Sequence, residues 1–241
     1  MANLIVDIGN TALKAAWTEG ISLGKTFRYQ GERNIDFIIS LTSRVKPEVM
    51  VVCSTKNLSQ RNIDKLSKEC EKLIVLDSSN TSFLSEHNLP IYLSPDRAAY
   101  IIASRYLFKG KGCIIFDFGT TLTIDFLDIE GKYLGGNISP GFITRFKSLN
   151  RYSRNLPLVI DIPEEIEDYG MSLTSSISLG VISSILFEIE GYIGRNPENI
   201  VIFTGGDSIY FGKRMKNSIF VVSNLVLMGL ALIAQDYAKV D

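Results

Sequence analysis

The sequence has little histidine, few cysteines and almost no net charge, and each shortage argues against a class of function. His87 is its single histidine, and its three cysteines, Cys53, Cys70 and Cys113, form no C-x-x-C pair. These residues cannot make a Cys/His zinc site at any usual spacing, and unpaired cysteines favour a reducing compartment. Lysine and arginine total 25 against 26 acids and are spread along the chain, which argues against nucleic acid as a partner.

Long apolar segments are also missing. The N-terminus has no basic region and reaches Asp7 before any signal-peptide core forms. The most apolar stretch, residues 219–234, is interrupted by Ser223, Asn224 and Gly229, and it is shorter than the roughly 20 residues that a bilayer span needs. We therefore expect a buried helix at 219–234, no membrane partner and a cytoplasmic protein.

What the sequence does contain is an internal repeat. Residues 4–13 recur as residues 114–123, and this alignment superposes Asp7 on Asp117. In each copy an apolar run ends in an acid, a glycine-containing turn follows, and a second apolar run begins. That pattern predicts a strand, a tight turn and a second strand.

Short apolar runs alternate with polar helical stretches after each copy, which indicates α/β structure. The repeat predicts two similar halves, residues 1–93 and 94–241, that meet across a cleft. Within the helix expected at 174–194, Ile or Val recurs every four residues from Ile177 to Ile189, which predicts one buried face. Further strands are predicted at 23–29, 49–53, 73–76 and 200–203, and helices near 59–70, 97–108, 141–155, 207–216 and 223–238.

The first repeated turn has the composition of a phosphate-binding site. An acid at a strand end repels phosphate but can hold a hydrated cation, so we expect Asp7 to bind Mg²⁺ through water. Gly9 lets the backbone approach a phosphate, and Asn10 and Thr11 can donate hydrogen bonds together with the turn amides. Lys14 can add a positive charge. A single Asp-x-Gly would indicate an ordinary hairpin, but its repetition favours two turns that clamp a triphosphate.

The second turn, with Gly119 and Thr120, is the other half of this predicted triphosphate site. A third element is the glycine pair Gly205 and Gly206, which would let adenine or ribose lie against the backbone. A plain helix entry with Asp207 as N-cap explains the same residues equally well. Neither G-x-x-x-x-G-K-[ST] nor G-x-G-x-x-G occurs in the sequence, so the common nucleotide loops are excluded.

In this order, D-x-G-N-T, D-x-G-T and T-G-G resemble the motifs of the acetate and sugar kinase, Hsp70 and actin superfamily. The finer resemblance is to type III pantothenate kinases. It implies an α/β fold of duplicated ribonuclease H-like halves, as in actin-like ATPases, with a cleft between them. The segments that carry the resemblance are 7–14, 96–97, 117–125, 135–141 with Arg145 and Leu156-Pro157, and 224–230.

The resemblance also implies a reaction, the transfer of the ATP γ-phosphoryl group to the 4′-hydroxyl of pantothenate in the first step of coenzyme A biosynthesis. Asp96 is then the general base, and Arg97 helps to bind pantothenate. Asp117 is expected to bind a monovalent cation, K⁺ or NH₄⁺, and Thr120 to contact ATP. The family implies a homodimer with the acceptor site close to the subunit interface.

Two positions depart from the family pattern. Ser94 replaces the family's glycine and adds a side chain at an expected acceptor-binding position. The threonine that begins a substrate-binding segment falls on Leu173 in strict register, so that Thr174, one place later, is the expected acceptor contact. These departures keep two alternatives open: a kinase of the same superfold acting on another small alcohol or sugar, or a nucleotide-binding regulatory protein without transfer activity.

Asp96 has a second interpretation, as part of a helix start. Ser94 at the N-cap, Pro95 at the first helical position and an acid in the first turn are typical of helix initiation. The two roles are compatible, because a helix that begins beside a substrate can present an acid to it. The neighbouring motifs favour catalysis.

Overall fold

The computed structural model describes residues 2–160 and 162–238. Within this part, the chain forms two compact units. The first comprises the residues up to Lys109 and the C-terminal segment from Asn224, and the second comprises Gly110–Ser223. Each unit contains one mixed sheet with helices packed on it.

The strands, in chain order, are β1 (Ala2–Ile8), β2 (Leu13–Glu19), β3 (Ser22–Tyr29), β4 (Val49–Ser54), β5 (Lys72–Leu76), β6 (Cys113–Phe118), β7 (Thr121–Leu127), β8 (Tyr133–Pro140), β9 (Ile200–Gly205) and β10 (Ile219–Val221). The helices are α1 (Asn34–Thr42), α2 (Gln60–Ser67), α3 (Ser82–Glu86), α4 (Pro95–Leu107), α5 (Phe142–Tyr152), α6 (Leu173–Arg195), α7 (Ser208–Gly212) and α8 (Leu225–Ala238).

The two sheets have the same topology. The first has the order β3-β2-β1-β4-β5, and the second, taken from its β8 edge, has the order β8-β7-β6-β9-β10. In each sheet the central strand pairs with an antiparallel strand on one side and with a parallel strand on the other. Asp7 and Asp117 occupy the same place near the ends of the central strands, β1 and β6. The predicted repeat is thus a structural duplication.

In the second unit, aromatic rings and α6 form the core on one face of the sheet. Phe116, Phe118 and Phe203 pack against one another at ring-centroid distances of 4.8 to 6.3 Å. From Ile177 to Ile189, the residues at four-residue spacing on α6 are buried in this cluster, which confirms the predicted face. By length and composition alone, α6 is also apolar enough to cross a membrane, a test that the core helix of a globular unit passes as well.

The stretch 219–234 does not form the single buried helix that we expected. Ile219–Val221 is the short strand β10, which pairs in parallel with residues 201–203 of β9, and the helix begins only at Leu225. β-Branched and aromatic side chains suit this edge position, so local strand propensity and pairing override the continuous apolar composition. The sequence prediction also missed the helices α1 and α3.

The compact units do not coincide with the predicted halves 1–93 and 94–241, because α8 returns to the first unit and packs on α4. Gly229 allows this contact. A Cβ atom at Gly229 would overlap the carbonyl of Ala99, so only glycine permits the two helix backbones to approach so closely. Helix α4 therefore belongs with the first unit, and the change of unit falls between Lys109 and Gly110.

Candidate active site

The first repeated turn is a tight connection between β1 and β2. The Gly9 N–H donates to the Ala12 carbonyl over 3.1 Å, which leaves Asn10 and Thr11 exposed at the tip. Asp7 lies opposite Lys14 in the antiparallel register. The fold thus brings together the five residues predicted for phosphate and Mg²⁺ in this turn, namely Asp7, Gly9, Asn10, Thr11 and Lys14.

Thr55, which the sequence analysis did not select, fixes this turn from the neighbouring strand. Its N–H donates to the Ile8 carbonyl over 3.3 Å, and its hydroxyl lies 3.4 Å from the Asn10 Oδ1 atom. The second unit repeats the backbone contact, because the Gly206 N–H donates to the Phe118 carbonyl over 2.9 Å. Extending the repeat to the adjacent parallel strands would have identified Thr55 as the counterpart of Gly206.

Asp96 lies in the first turn of α4, which begins as the sequence predicts. Ser94 is the N-cap and Pro95 follows it, but the Ser94 hydroxyl makes no capping hydrogen bond within the described residues. The Asp96 Oδ1 atom is buried and has no hydrogen-bond partner among residues 2–160 and 162–238. A buried carboxylate oxygen without a protein partner is costly, so it is an expected binding point for a substrate proton or a water. The adjacent Arg97 is buried.

Asp7 and Asp96 both lie near the Cys53 thiol. Burial raises the pKa of the Cys53 thiol well above its ordinary value, and the negative charges of Asp7, Asp96 and Asp77 raise it further. Cys53 pairs with Asp7 in the register of β1 and β4. The first unit therefore gathers acids around the end of β4, including the predicted base and the predicted Mg²⁺ ligand.

The second turn joins β6 to β7. The Gly119 N–H donates to the Thr121 carbonyl over 3.0 Å, and Thr120 is exposed. The Thr120 carbonyl accepts from the Gly141 N–H over 3.1 Å and from the Thr144 hydroxyl over 2.6 Å. The start of α5 therefore holds the turn in place through these two hydrogen bonds.

The predicted glycine pair lies directly beside this second turn. Gly205 pairs with Phe118, and it has a φ of +89°, which favours glycine. A Cβ atom there would lie 2.5 Å from the Asp117 Oδ1 atom. Asp207 is the N-cap of α7, but its side chain makes no capping hydrogen bond to that helix among the described residues. Gly205 therefore permits the close approach of the ends of β6 and β9.

Two buried threonines flank Asp117 in the sheet. Thr123 lies opposite it on β7 and Thr204 lies opposite it on β9, so both occupy the same row. A carboxylate with neighbouring hydroxyl and carbonyl oxygens is a donor set suited to hard cations. Within the described residues, no three His, Cys, Asp or Glu side chains cluster as a metal site. A divalent ion would therefore depend on phosphate oxygens and waters for most of its ligands.

Thr174 lies in the second unit, in the first turn of α6, where it is exposed and its hydroxyl is 3.1 Å from the Ser172 hydroxyl. Leu173 lines a cavity of about 790 Å³ between α5 and α6, together with Leu149 and Tyr152. This cavity is mostly apolar.

The predicted site residues fall into two groups. Asp7 to Lys14 and Ser94 to Arg97 lie in the first unit, whereas Asp117 to Thr120, Thr174 and the glycine pair lie in the second.

The duplicated sheets with matching turns define the actin-like ATPase and sugar-kinase fold, and solved structures agree. A Campylobacter jejuni protein described as a Baf family transcriptional activator matches with a TM-score of 0.66 and 21% identity, covering 98% of this chain and 99% of that one. The ADPNP-bound activator of 2-hydroxyisocaproyl-CoA dehydratase from Clostridium difficile matches with a TM-score of 0.55 and 16% identity, covering 99% and 96%. At these identities the matches establish the fold class.

Sequence comparison then identifies the family. The model of the type III pantothenate kinase family matches residues 3–195. A type III pantothenate kinase of Phocaeicola vulgatus is 36% identical over 233 residues, which cover 95% of this chain and 96% of that protein. One from Flavobacterium psychrophilum is 32% identical and covers 94% and 96%. The chain belongs to the type III pantothenate kinase family, which confirms the resemblance drawn from its motifs.

Proposed function

We propose that this protein transfers the γ-phosphoryl group of ATP to the 4′-hydroxyl of pantothenate, the first step of coenzyme A biosynthesis. Membership of the type III pantothenate kinase family supports this reaction. The observation that carries it to particular residues is the buried Asp96 Oδ1 atom, which has no hydrogen-bond partner in the described part of the chain. Asp96 lies in the first turn of α4, and its charge, like that of Asp7, raises the pKa of the nearby Cys53 thiol.

Asp96 acts as the general base in this proposal. Its buried oxygen accepts the proton of the acceptor hydroxyl. As this proton leaves, the hydroxyl oxygen of the acceptor attacks the γ-phosphorus, and the bond from the γ-phosphorus to the ADP oxygen breaks. A positioned base contributes about 10²- to 10⁴-fold to a rate. Alignment of the two substrates and neutralisation of phosphate charge supply most of the remainder.

The two turns bind the nucleotide. Asn10, Thr11 and Lys14 offer exposed or half-buried donors in the first unit, and Gly119 and Thr120 offer an exposed turn in the second. Gly9 lies in the same turn, which its N–H keeps tight by donating to the Ala12 carbonyl. Gly205 and Gly206 present backbone without side chains beside the second turn, which suits a flat adenine or ribose.

The cations have separate positions. Asp7 would hold Mg²⁺ through water, and Asp117, between Thr123 and Thr204, would hold K⁺ or NH₄⁺. When bound, these ions neutralise phosphate charge. The donor sets fit, because each carboxylate lies near the end of a central strand and Asp117 has the oxygen-bearing side chains of Thr123 and Thr204 in the same row.

Acceptor binding involves Ser94, Arg97 and Thr174. Arg97 supplies the positive charge that the pantothenate carboxylate requires, and Ser94 adds a hydroxyl that α4 does not use as a cap. Thr174, at the exposed start of α6, is the third proposed acceptor contact. A second candidate function, phosphorylation of a different small alcohol, is favoured specifically by the hydroxyl of Ser94.

The face formed by α5 and α6 is the proposed homodimer surface. Tyr152 is 82% exposed and Leu173 is 54% exposed beside the apolar cavity, a patch that a partner would cover. Gly180 also lines the cavity and permits close approach of another helix.

The reducing environment implied by the buried free thiols fits a cytoplasmic location.

A coupled ADP-release assay over a panel of small alcohols and sugars tests this function. We expect Mg²⁺-dependent ADP release that pantothenate stimulates more than any other acceptor, and that K⁺ increases further. Stimulation by a different acceptor alone would establish the second candidate function. ATP binding without phosphorylation of any acceptor would contradict both and identify a regulatory nucleotide-binding protein.

A further inference from the structure

The second nucleotide turn depends on α5 for its support. Gly141 is the N-cap of α5, and a Cβ atom there would overlap the Gly119 carbonyl and lie 2.7 Å from the Thr120 carbonyl oxygen. The turn therefore lies directly against the first residues of this helix. Because Gly141 has no side chain, it offers no side-chain cap for α5.

The Thr120 carbonyl receives two hydrogen bonds from this helix start. The Gly141 N–H donates over 3.1 Å, and the Thr144 hydroxyl donates over 2.6 Å. The hydroxyl bond is the shorter of the two, and it is the one that depends on a side chain. A carbonyl that accepts from two fixed donors cannot rotate freely, so the peptides on either side of it are held in one orientation.

The helix that carries Thr144 is itself firmly anchored by the next residue. The Arg145 guanidinium donates to the Pro140 carbonyl over 2.9 Å and to the Ser184 hydroxyl over 2.9 Å, and it forms an ion pair with Glu188. These contacts join the start of α5 to β8 and α6. These contacts hold the start of α5 in place, so the Thr144 hydroxyl has a fixed position beside the turn.

We propose that Thr144 is a positioning residue for ATP, acting through the Thr120 carbonyl. This inference rests on the proposed function, in which Gly119 and Thr120 contact the nucleotide. Loss of the hydroxyl would remove one of the two donors that α5 supplies to this carbonyl and let the turn adopt several orientations. ATP would then have to order the turn on binding, and its affinity would fall. Pantothenate affinity depends on other residues and would be unaffected.

The test compares Thr144→Val, which keeps the shape and removes the hydroxyl, with Thr144→Ser, which keeps the hydroxyl. We expect Thr144→Val to raise the KM for ATP about tenfold, equivalent to about 1.4 kcal/mol, with the KM for pantothenate unchanged. Thr144→Ser should stay within about twofold of the unmodified protein. Calorimetric titration with ATP provides the same comparison without turnover.

A matched control is Ser40→Ala on α1, where a hydroxyl also donates over 2.6 Å to a backbone carbonyl, that of Phe37. It should leave the KM for ATP unchanged. If Thr144→Val fails to fold, Thr144→Ala takes its place, and melting temperatures measured without nucleotide separate stability from affinity. Unchanged ATP affinity in a folded Thr144→Val variant overturns this inference alone. If the unmodified protein binds no ATP, both this inference and the proposed function are overturned.

Discussion

The acids around Cys53 concentrate negative charge at the end of β4, and Asp77 has a structural role among them. It accepts from the Ser79 N–H over 2.9 Å and from the Leu58 N–H over 3.3 Å, so it anchors two loops. Burial alone would raise the pKa of Asp77, but hydrogen bonds from the Ser79 hydroxyl and from these two N–H groups hold it below its usual value. The buried Oδ1 atom of Asp96 lacks such partners among the described residues, and it is the oxygen to which we assign the role of general base.

The single histidine allows an unambiguous pH prediction. Burial lowers the pKa of His87, only partly offset by the charges of Asp236 and Glu86. A depressed folded-state pKa means that the unfolded chain binds the proton more tightly. The stabilising contribution is therefore present above the unfolded value of about 6.5 and is lost as the pH falls through the folded value.

Nuclear magnetic resonance titration of the one imidazole should give a midpoint below about 6.5. The free energy of unfolding should decline as the pH falls below that value, and His87→Gln should make this part of the decline shallower. A midpoint at or above 6.5 would contradict the burial that the structure assigns to this side chain.

At the scale of elements, the predictions succeeded where periodicity or a repeat carried the signal. The buried face of α6 follows a four-residue spacing, and the two Asp-x-Gly turns follow from an alignment within the chain. Helix α1 was missed, although Ile38 is fully buried, because its short apolar pattern is no stronger than that of a strand. The support of the second turn by Thr144 was also beyond sequence reasoning, because it depends on a contact between residues 24 apart.

The packing of α8 on α4 gives a prediction at this scale. Gly229→Ala introduces a methyl group against the Ala99 backbone, and overpacking of this kind costs about 1–3 kcal/mol. Chemical denaturation should show that loss in the free energy of unfolding.

The matched control is Gly191→Ala on α6, where an added Cβ meets nothing within 4 Å in the described part of the chain. Because alanine favours helix, it should raise the stability by roughly 0.5–1 kcal/mol. Equal effects of the two substitutions would show that α4 and α8 are not in close contact.

At the scale of the whole molecule, the duplicated topology was predictable and the division into compact units was not. The internal repeat marks the central strands, so two similar α/β halves follow from it. The return of α8 to the first unit depends instead on the absence of a side chain at Gly229. The sequence does not reveal this, because it does not show that Gly229 packs against Ala99. Roles of the site residues in each unit stay predictions that substitution can test.

The proposed homodimer gives a prediction for the assembly. Light scattering coupled to size-exclusion chromatography should give twice the chain mass of 26.8 kDa. Gly180→Arg, in the cavity between α5 and α6, should shift the protein to a monomer. Gly194→Arg makes the same change on the same helix outside the residues that line the cavity, and it should leave the dimer intact. A monomeric unmodified protein would contradict the dimer.

The central claim, that Asp96 accepts the proton of an acceptor hydroxyl, is tested most directly by Asp96→Asn. Asparagine keeps the shape of the side chain and removes its basicity. We predict that ADP release with saturating ATP and pantothenate falls about 10²- to 10⁴-fold, while calorimetric ATP affinity stays within about twofold. Turnover equal to that of the unmodified protein would contradict the account.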